Sequence, residues 1–262
     1  MAESKHNETK TIYYKDELND EFAQDNIVAK PINGSYRYIR DGFLGKVSHL
    51  FWYRIIATPL AYLYLKLHFH HKIVNRNILK EYKKQGIFFY GNHTHFLADA
   101  LIPTMVNVPK DAYVIVHPNN VSMPVLGRIT PSLGALPLPD DVAAGKHFIK
   151  AVEYWINKKR CVMIYPEAHI WPFYTDIRPF KNDSFRYPVN LKAPVFCLTN
   201  TYQKRKHSKK PNIVTYIDGP FFADDSLKPK EQRQKLRDEV YKVMKEKAKN
   251  GNVCMIRYEK YD

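Results

Sequence analysis

This chain has few cysteines, no serine elbow and no long uninterrupted apolar segment at its start, and each absence narrows the possibilities. Three cysteines in 262 residues, Cys161, Cys197 and Cys254, stand too far apart to form a metal-binding motif. Cys161 and Cys197 lie in apolar strand-like runs, where a reduced, buried thiol is expected. The first 26 residues are polar and mixed in charge, unlike a secretory leader. These features point to a cytosolic environment. No serine stands in a Gly-x-Ser-x-Gly elbow. Residues 41–262 contain no internal repeat and no long linker.

What is present is apolar, aromatic and basic. Apolar residues make up 45% of the chain, enough for one large α/β domain with a full core. Nineteen tyrosines and 14 phenylalanines suit core edges and also lipid–water boundaries. The net charge is +15, and because residues 1–26 carry seven acids against three lysines, the remainder carries +19. Such a field favours an anionic partner: nucleic acid, acidic lipid or a phosphorylated small molecule. The basic run Lys204-Arg205-Lys206-His207-Ser208-Lys209-Lys210 has no nucleic-acid recognition module beside it. Nucleic acid is therefore not the expected partner, and this run reads as a hairpin tip or solvated loop. His68, His70 and His71 lack nearby acids or cysteines, so they read as a basic surface patch and not as metal ligands.

Three regions follow from the pattern. Residues 1–40 lack a clear period and read as a mobile or loosely packed extension. Residues 41–75 are apolar, aromatic and helix-like, with a break near Pro59. The longest uncharged run within them, residues 55–65, has 11 residues, whereas a spanning helix needs roughly 20. Interspersed Lys and Arg with Trp and Tyr fit a helical segment docked in a membrane interface, or one capping the core. Residues 76–262 alternate strands with helices. Buried strands are expected near 87–90, 113–116, 162–165, 195–199 and 213–217, and helices near 97–105, 142–157 and 231–249. This order predicts an α/β fold, a mixed and mostly parallel sheet flanked by helices.

Polar chemistry concentrates where two of these strands end, the usual place for an active site in an open α/β sheet. One segment reads Gly91-Asn92-His93-Thr94-His95-Phe96-Leu97-Ala98-Asp99, and the other Tyr165-Pro166-Glu167-Ala168-His169. Imidazole accepts a proton near neutral pH, and a carboxylate fixes its tautomer and stabilises its charged form. Together they suit activation of a hydroxyl or of water. Arg178 and Lys181, in Arg178-Pro179-Phe180-Lys181, are phosphate-binding candidates.

These residues carry a family resemblance. Asn92-His93 with Asp99 resembles the first motif of the glycerolipid acyltransferases, the family of 1-acylglycerol-3-phosphate acyltransferase. Tyr165-Pro166-Glu167 resembles the third motif, Pro179-Phe180-Lys181 the stretch that follows, and Ala193-Pro194-Val195 the fourth. The four occur in family order across residues 86–220. Two departures stand out. Five residues separate His93 from Asp99 where the family has four, and three separate His95 from Asp99. Ala168-His169-Ile170 follows Glu167 where the family has Gly-Thr-Arg, so its phosphate-binding Arg is absent there.

The resemblance implies an enzyme that moves a fatty acyl group from a thioester to a lysophospholipid hydroxyl. His93 would be the general base and Asp99 its orienting partner. Asn92, His95, Glu167, His169, Arg178 and Lys181 are expected to contact substrate or brace the site. The donor would be acyl-CoA or acyl carrier protein, with no bound cofactor and no metal. The acceptor would be lysophosphatidic acid or a relative, met at the cytoplasmic face of a membrane. Between His93 and His95, the position directly after the strand favours His93. Two other readings of the same residues are a lipid or thioester hydrolase, and a basic lipid-binding protein without catalysis.

Overall fold

Apolar side chains fill every position of β3 (Ile87–Gly91) and β6 (Cys161–Ile164) except the closing glycine, so neither segment has a solvent face, and both are central strands. The computed structural model describes residues 9–23, 26–206 and 208–261. Seven strands form the main sheet, in the order β2 (Lys72–Val74), β8 (Ser208–Phe221), β7 (Val195–Arg205), β3, β6, β4 (Ala112–Val116), β5 (Ala135–Pro137). All neighbours run parallel except β7 and β8, which are antiparallel. A separate parallel pair joins β1 (Lys10–Tyr14) to β9 (Ile256–Lys260). The expected mixed, mostly parallel α/β sheet is the observed one.

Alternation along β3 divides the core. Phe88 and Tyr90 join one buried cluster, with Val162, Ile164, Val195 and Cys197. Ile87 and Phe89 join the other, with Met163, Phe196 and Leu198. Helix α4 (Val142–Asn157) and helix α5 (Pro229–Ala248) cover the first face. From α4 come Phe148, Val152 and Ile156, and from α5 Leu236, Val240 and Met244. Asp141 starts α4 by accepting the Ala144 N–H at 2.7 Å. Val142 and Ile149 of α4 are exposed.

The second face is covered by α2 (Thr58–Phe69) and α3 (Phe96–Asn107), through Ala61, Leu65 and Phe69 and through Ala98, Ile102 and Val106. The helix α1 (Phe43–His49) runs without a gap through a π-helical stretch, Leu50–Ala57, into α2. Pro59 lies where the π-helical stretch passes into α2, so the break expected there is a change of helical winding and not a gap in the helix. No helix among the described residues is long and apolar enough to cross a membrane. Phe43, Leu44, Leu50, Ile55, Leu60 and Leu67 nevertheless face outward, Phe43 and Leu44 with 80% of their surface exposed.

Two expectations need correction. The described part of residues 1–40 is not a loose arm. β1 pairs with β9, Ile32 and Tyr38 are core residues, and the Ile32 N–H is held by Asp140 at 2.7 Å. The surface patch expected at His68, His70 and His71 holds only in part: His68 and His70 are exposed, with His70 paired to Arg205, whereas His71 is half-buried and bonds Thr215 at 2.8 Å.

Candidate active site

Gly91 ends β3 tight against β6, where an added Cβ would sit 2.5 Å from Cε of Met163. The chain then leaves the sheet through Asn92-His93-Thr94-His95 and enters α3 at Phe96. Asp99, in the first turn of α3, is 1% exposed. Its Oδ2 accepts three donors: Nδ1–H of His93 at 3.0 Å, the Thr94 N–H at 2.7 Å and the His95 N–H at 2.8 Å. A proton held on Nδ1 by a carboxylate leaves the Nε2 lone pair of His93 free, and no described residue partners that nitrogen. The ring stacks on Tyr165 at 4.4 Å and keeps 18% of its side chain open to solvent.

The six-residue step from His93 to Asp99 closes because His93 stands in the loop and not on the helix. The loop around it, buried at Asn92 and Thr94, is pinned by the chain that follows β6. Trp171 and Phe173 donate their N–H groups to the carbonyls of His93 and Thr94, at 3.2 and 2.9 Å. His95 does not compete for the carboxylate with its ring. Its Nδ1 accepts the Ala98 N–H at 3.2 Å, capping α3, and its ring packs edge-on against Phe69 and Phe173. Burial lowers the His95 pKa, against the pull of Asp99.

Glu167 is buried and grips the loop. Its Oε2 accepts the His93 N–H at 2.9 Å and its Oε1 the Arg178 N–H at 3.0 Å. Burial pushes this carboxyl up, while Arg178 and the two N–H groups pull it down. Asn92 is a clamp. Its Nδ2 donates to the Asn200 carbonyl at 3.0 Å and its Oδ1 accepts the Asn200 N–H at 2.8 Å.

Arg178 is not where a phosphate could meet it. Its side chain is fully buried over Trp171, donating to the carbonyls of Glu17, Glu167 and His169. A guanidinium so enclosed is a structural brace, which corrects its expected role toward phosphate. Lys181 is exposed. His169 is one-third exposed, 3.6 Å from Glu21, and is not drawn to the His93–Asp99 pair. Ala168 adopts φ 65°, the left-handed conformation that glycine takes most easily and the place where the resembled motif has glycine. Among the described residues no cluster of His, Cys, Asp and Glu could hold a metal.

A family model described as Acyltransferase matches residues 69–200, half of the chain, and spans both strand exits that carry this site. The chain belongs to the acyltransferase family. This acyltransferase also shares its fold with the crystal structure of the 1-acyl-sn-glycerophosphate (LPA) acyltransferase PlsC from Thermotoga maritima, with a TM-score of 0.51 and 15% identity. The likeness covers 78% of this chain and 79% of that one. No curated protein sequence matches the acyltransferase.

Sequence reasoning missed several of its site residues. Asn200 and Tyr202 come from β7, and Trp171 and Phe173 from the loop after β6. One signal was available: Thr199-Asn200-Thr201 places three polar residues in succession inside an apolar strand, and such groups stay buried only when hydrogen-bonded.

Proposed function

We propose that this acyltransferase acylates the hydroxyl of a lysophospholipid, lysophosphatidic acid or a relative, with His93 as general base. The observation that carries this reading is the Nδ1–H to Asp99 bond of His93 beside an unpartnered Nε2. In the step envisaged, Nε2 takes the proton of the acceptor hydroxyl as its oxygen attacks the thioester carbonyl. A C–O bond forms, the tetrahedral intermediate expels the thiolate by breaking C–S, and the imidazolium returns the proton to that sulfur. Asp99 stabilises the imidazolium between the two transfers. Acyl-CoA or acyl carrier protein supplies the thioester.

The acceptor would come from a membrane surface. Supporting this, α2, which carries the outward Leu60 and Leu67, packs beside α3, whose first residues Phe96 and Leu97 are exposed near His93. Docking would place the domain peripherally, on the cytoplasmic face. Lys181, exposed and positive, is the remaining candidate from its motif for holding the acceptor phosphate.

The test is acyl transfer by the purified chain, crossing acyl-CoA and acyl carrier protein donors with several lysolipids. Diacyl product is expected, with a loss of at least about 10³-fold in His93→Ala and a smaller loss in His95→Ala. Free fatty acid without acylated acceptor would identify a hydrolase. Full turnover by His93→Ala would remove the catalytic role of this histidine.

A further inference from the structure

Behind Asp99 lies a second line of polar side chains that proton transfer does not use. Asn200 and Thr215 sit opposite each other on the antiparallel strands β7 and β8, and His71 lies just before β2, on the next strand out. Asn200 and Thr215 are buried. The contacts are continuous: Asn200 Nδ2 to Asp99 Oδ1 at 3.4 Å, Thr215 Oγ1 to Asn200 Oδ1 at 2.6 Å, and His71 Nε2 to Thr215 Oγ1 at 2.8 Å.

The charge on Asp99 fixes the direction of every donor. Only the amide nitrogen of Asn200 can face a carboxylate, because the carbonyl would set two acceptors together. The Asn200 oxygen is then turned to Thr215, whose single hydroxyl proton it accepts. With that proton spent, the Thr215 oxygen can only accept, so His71 must carry its proton on Nε2. Burial, with a contribution from Lys66, lowers the His71 pKa to about 4, so the ring is neutral near pH 7. The chain therefore runs one way, from His71 through Thr215 and Asn200 to Asp99 Oδ1. Meanwhile Oδ2 of the same carboxylate holds His93, Thr94 and His95.

We propose that Asn200, Thr215 and His71 are positioning residues for acyl transfer: they anchor Oδ1 of Asp99 so that Oδ2 keeps the His93 ring in its reactive orientation. This rests on the reading of His93 as the base. A carboxylate held at one oxygen alone can swing about its Cβ–Cγ bond, and donors in series strengthen one another. Outer partners that orient a reactive side chain commonly control its activity in this way.

The test uses the full chain with palmitoyl-CoA and lysophosphatidic acid. Thr215→Val keeps the side-chain shape and removes the hydroxyl. It is expected to lower kcat about five- to twentyfold with KM within about twofold, and Thr215→Ser, which keeps the hydroxyl, is expected to recover most of the loss. His71→Leu breaks the chain at its outer end, for use if the valine protein does not fold, and is expected to lower kcat about two- to fivefold. Nitrogen-15 NMR of the histidine rings is read in parallel. His71 should be the neutral Nε2–H tautomer, and the His93 ring signals should move in Thr215→Val and return in Thr215→Ser. Wild-type kcat together with unmoved His93 signals overturns the proposal, as does equal loss in the valine and serine variants. If the wild-type chain acylates no acceptor, the reaction assignment falls, and the NMR arm still decides whether the chain positions His93.

Discussion

Glu167 and Arg178 hold each other in the core while the same carboxylate holds the loop that carries His93. Oε1 of Glu167 accepts the main-chain N–H of Arg178 at 3.0 Å, and Oε2 accepts the N–H of His93 at 2.9 Å with Arg178 Nη2 3.7 Å away. The pair connects the loop after β6 to the loop after β3, so the two motifs visible in the sequence are one construction in space.

Removing Arg178 should therefore act on stability first. Arg178→Gln leaves Glu167 buried without its cation, a loss of about 3–5 kcal/mol. Denaturant unfolding should report that drop. Under conditions where the variant stays folded, the KM for a phosphorylated acceptor should remain within about twofold of wild type. A variant of normal stability with a strongly raised KM would return Arg178 to the role of a phosphate ligand.

Ala168 offers a change in the opposite direction. At φ 65° a side chain is strained, and glycine relieves that strain while making the unfolded chain more flexible. The balance favours Ala168→Gly by about 0.5–1 kcal/mol. Chemical denaturation at constant pH would measure it, and a glycine variant no more stable than wild type would show the turn to be relaxed.

The parts legible in the sequence were those whose cause is local. β3 and β6 announced themselves because strands buried on both faces must be apolar throughout. His93 and Asp99 were legible because both lie within one strand exit and one helix turn. What escaped was set by pairing across the chain. β2 and β5 are three residues each, too short to show a period, and β1 and β9, the latter with three charges in five residues, find each other across nearly the whole chain. Asn200 reaches the site only because β7 lies beside β3, and the polar run Thr199-Asn200-Thr201 marks it as a buried hydrogen-bonding group without saying what it meets. Arg178 read as a phosphate ligand and His71 as part of a basic surface patch because residue type says basic, whereas the burial of Arg178 and the half-burial of His71 are tertiary facts.

His71 should make stability depend on pH. Its folded pKa is about 4, lowered by burial with help from Lys66, against about 6.5 in an unfolded chain. Between those values the unfolded chain binds more protons, so stability is fully present above about pH 6.5 and lost as pH falls toward 4. A shift of this size corresponds to about 3 kcal/mol. Melting temperatures of wild type and His71→Gln, followed from pH 7.5 to 4.5, should converge as the pH falls, because the variant has no proton to bind there. Parallel curves would mean that His71 titrates normally.

Membrane docking by residues 43–69 is the prediction with the widest reach, since it would decide how the proposed lipid acceptor meets His93. Phe43 and Leu44 are each 80% exposed at the start of α1, and an apolar side chain moved from water to an apolar phase gains about 1.5–3 kcal/mol. Replacing both with serine should weaken binding to vesicles by at least about tenfold, allowing for incomplete burial at an interface. Binding of the wild-type chain should strengthen with anionic lipid and weaken with salt, because the chain carries a net charge of +15. The same double variant should keep its turnover on a short-chain, water-soluble acceptor, since neither residue touches the His93–Asp99 pair. Liposome flotation and the two acceptor assays together separate docking from catalysis. Equal flotation of wild type and variant would place the contact elsewhere, and retention of the wild-type chain through alkaline extraction would argue for an anchor deeper than a surface helix.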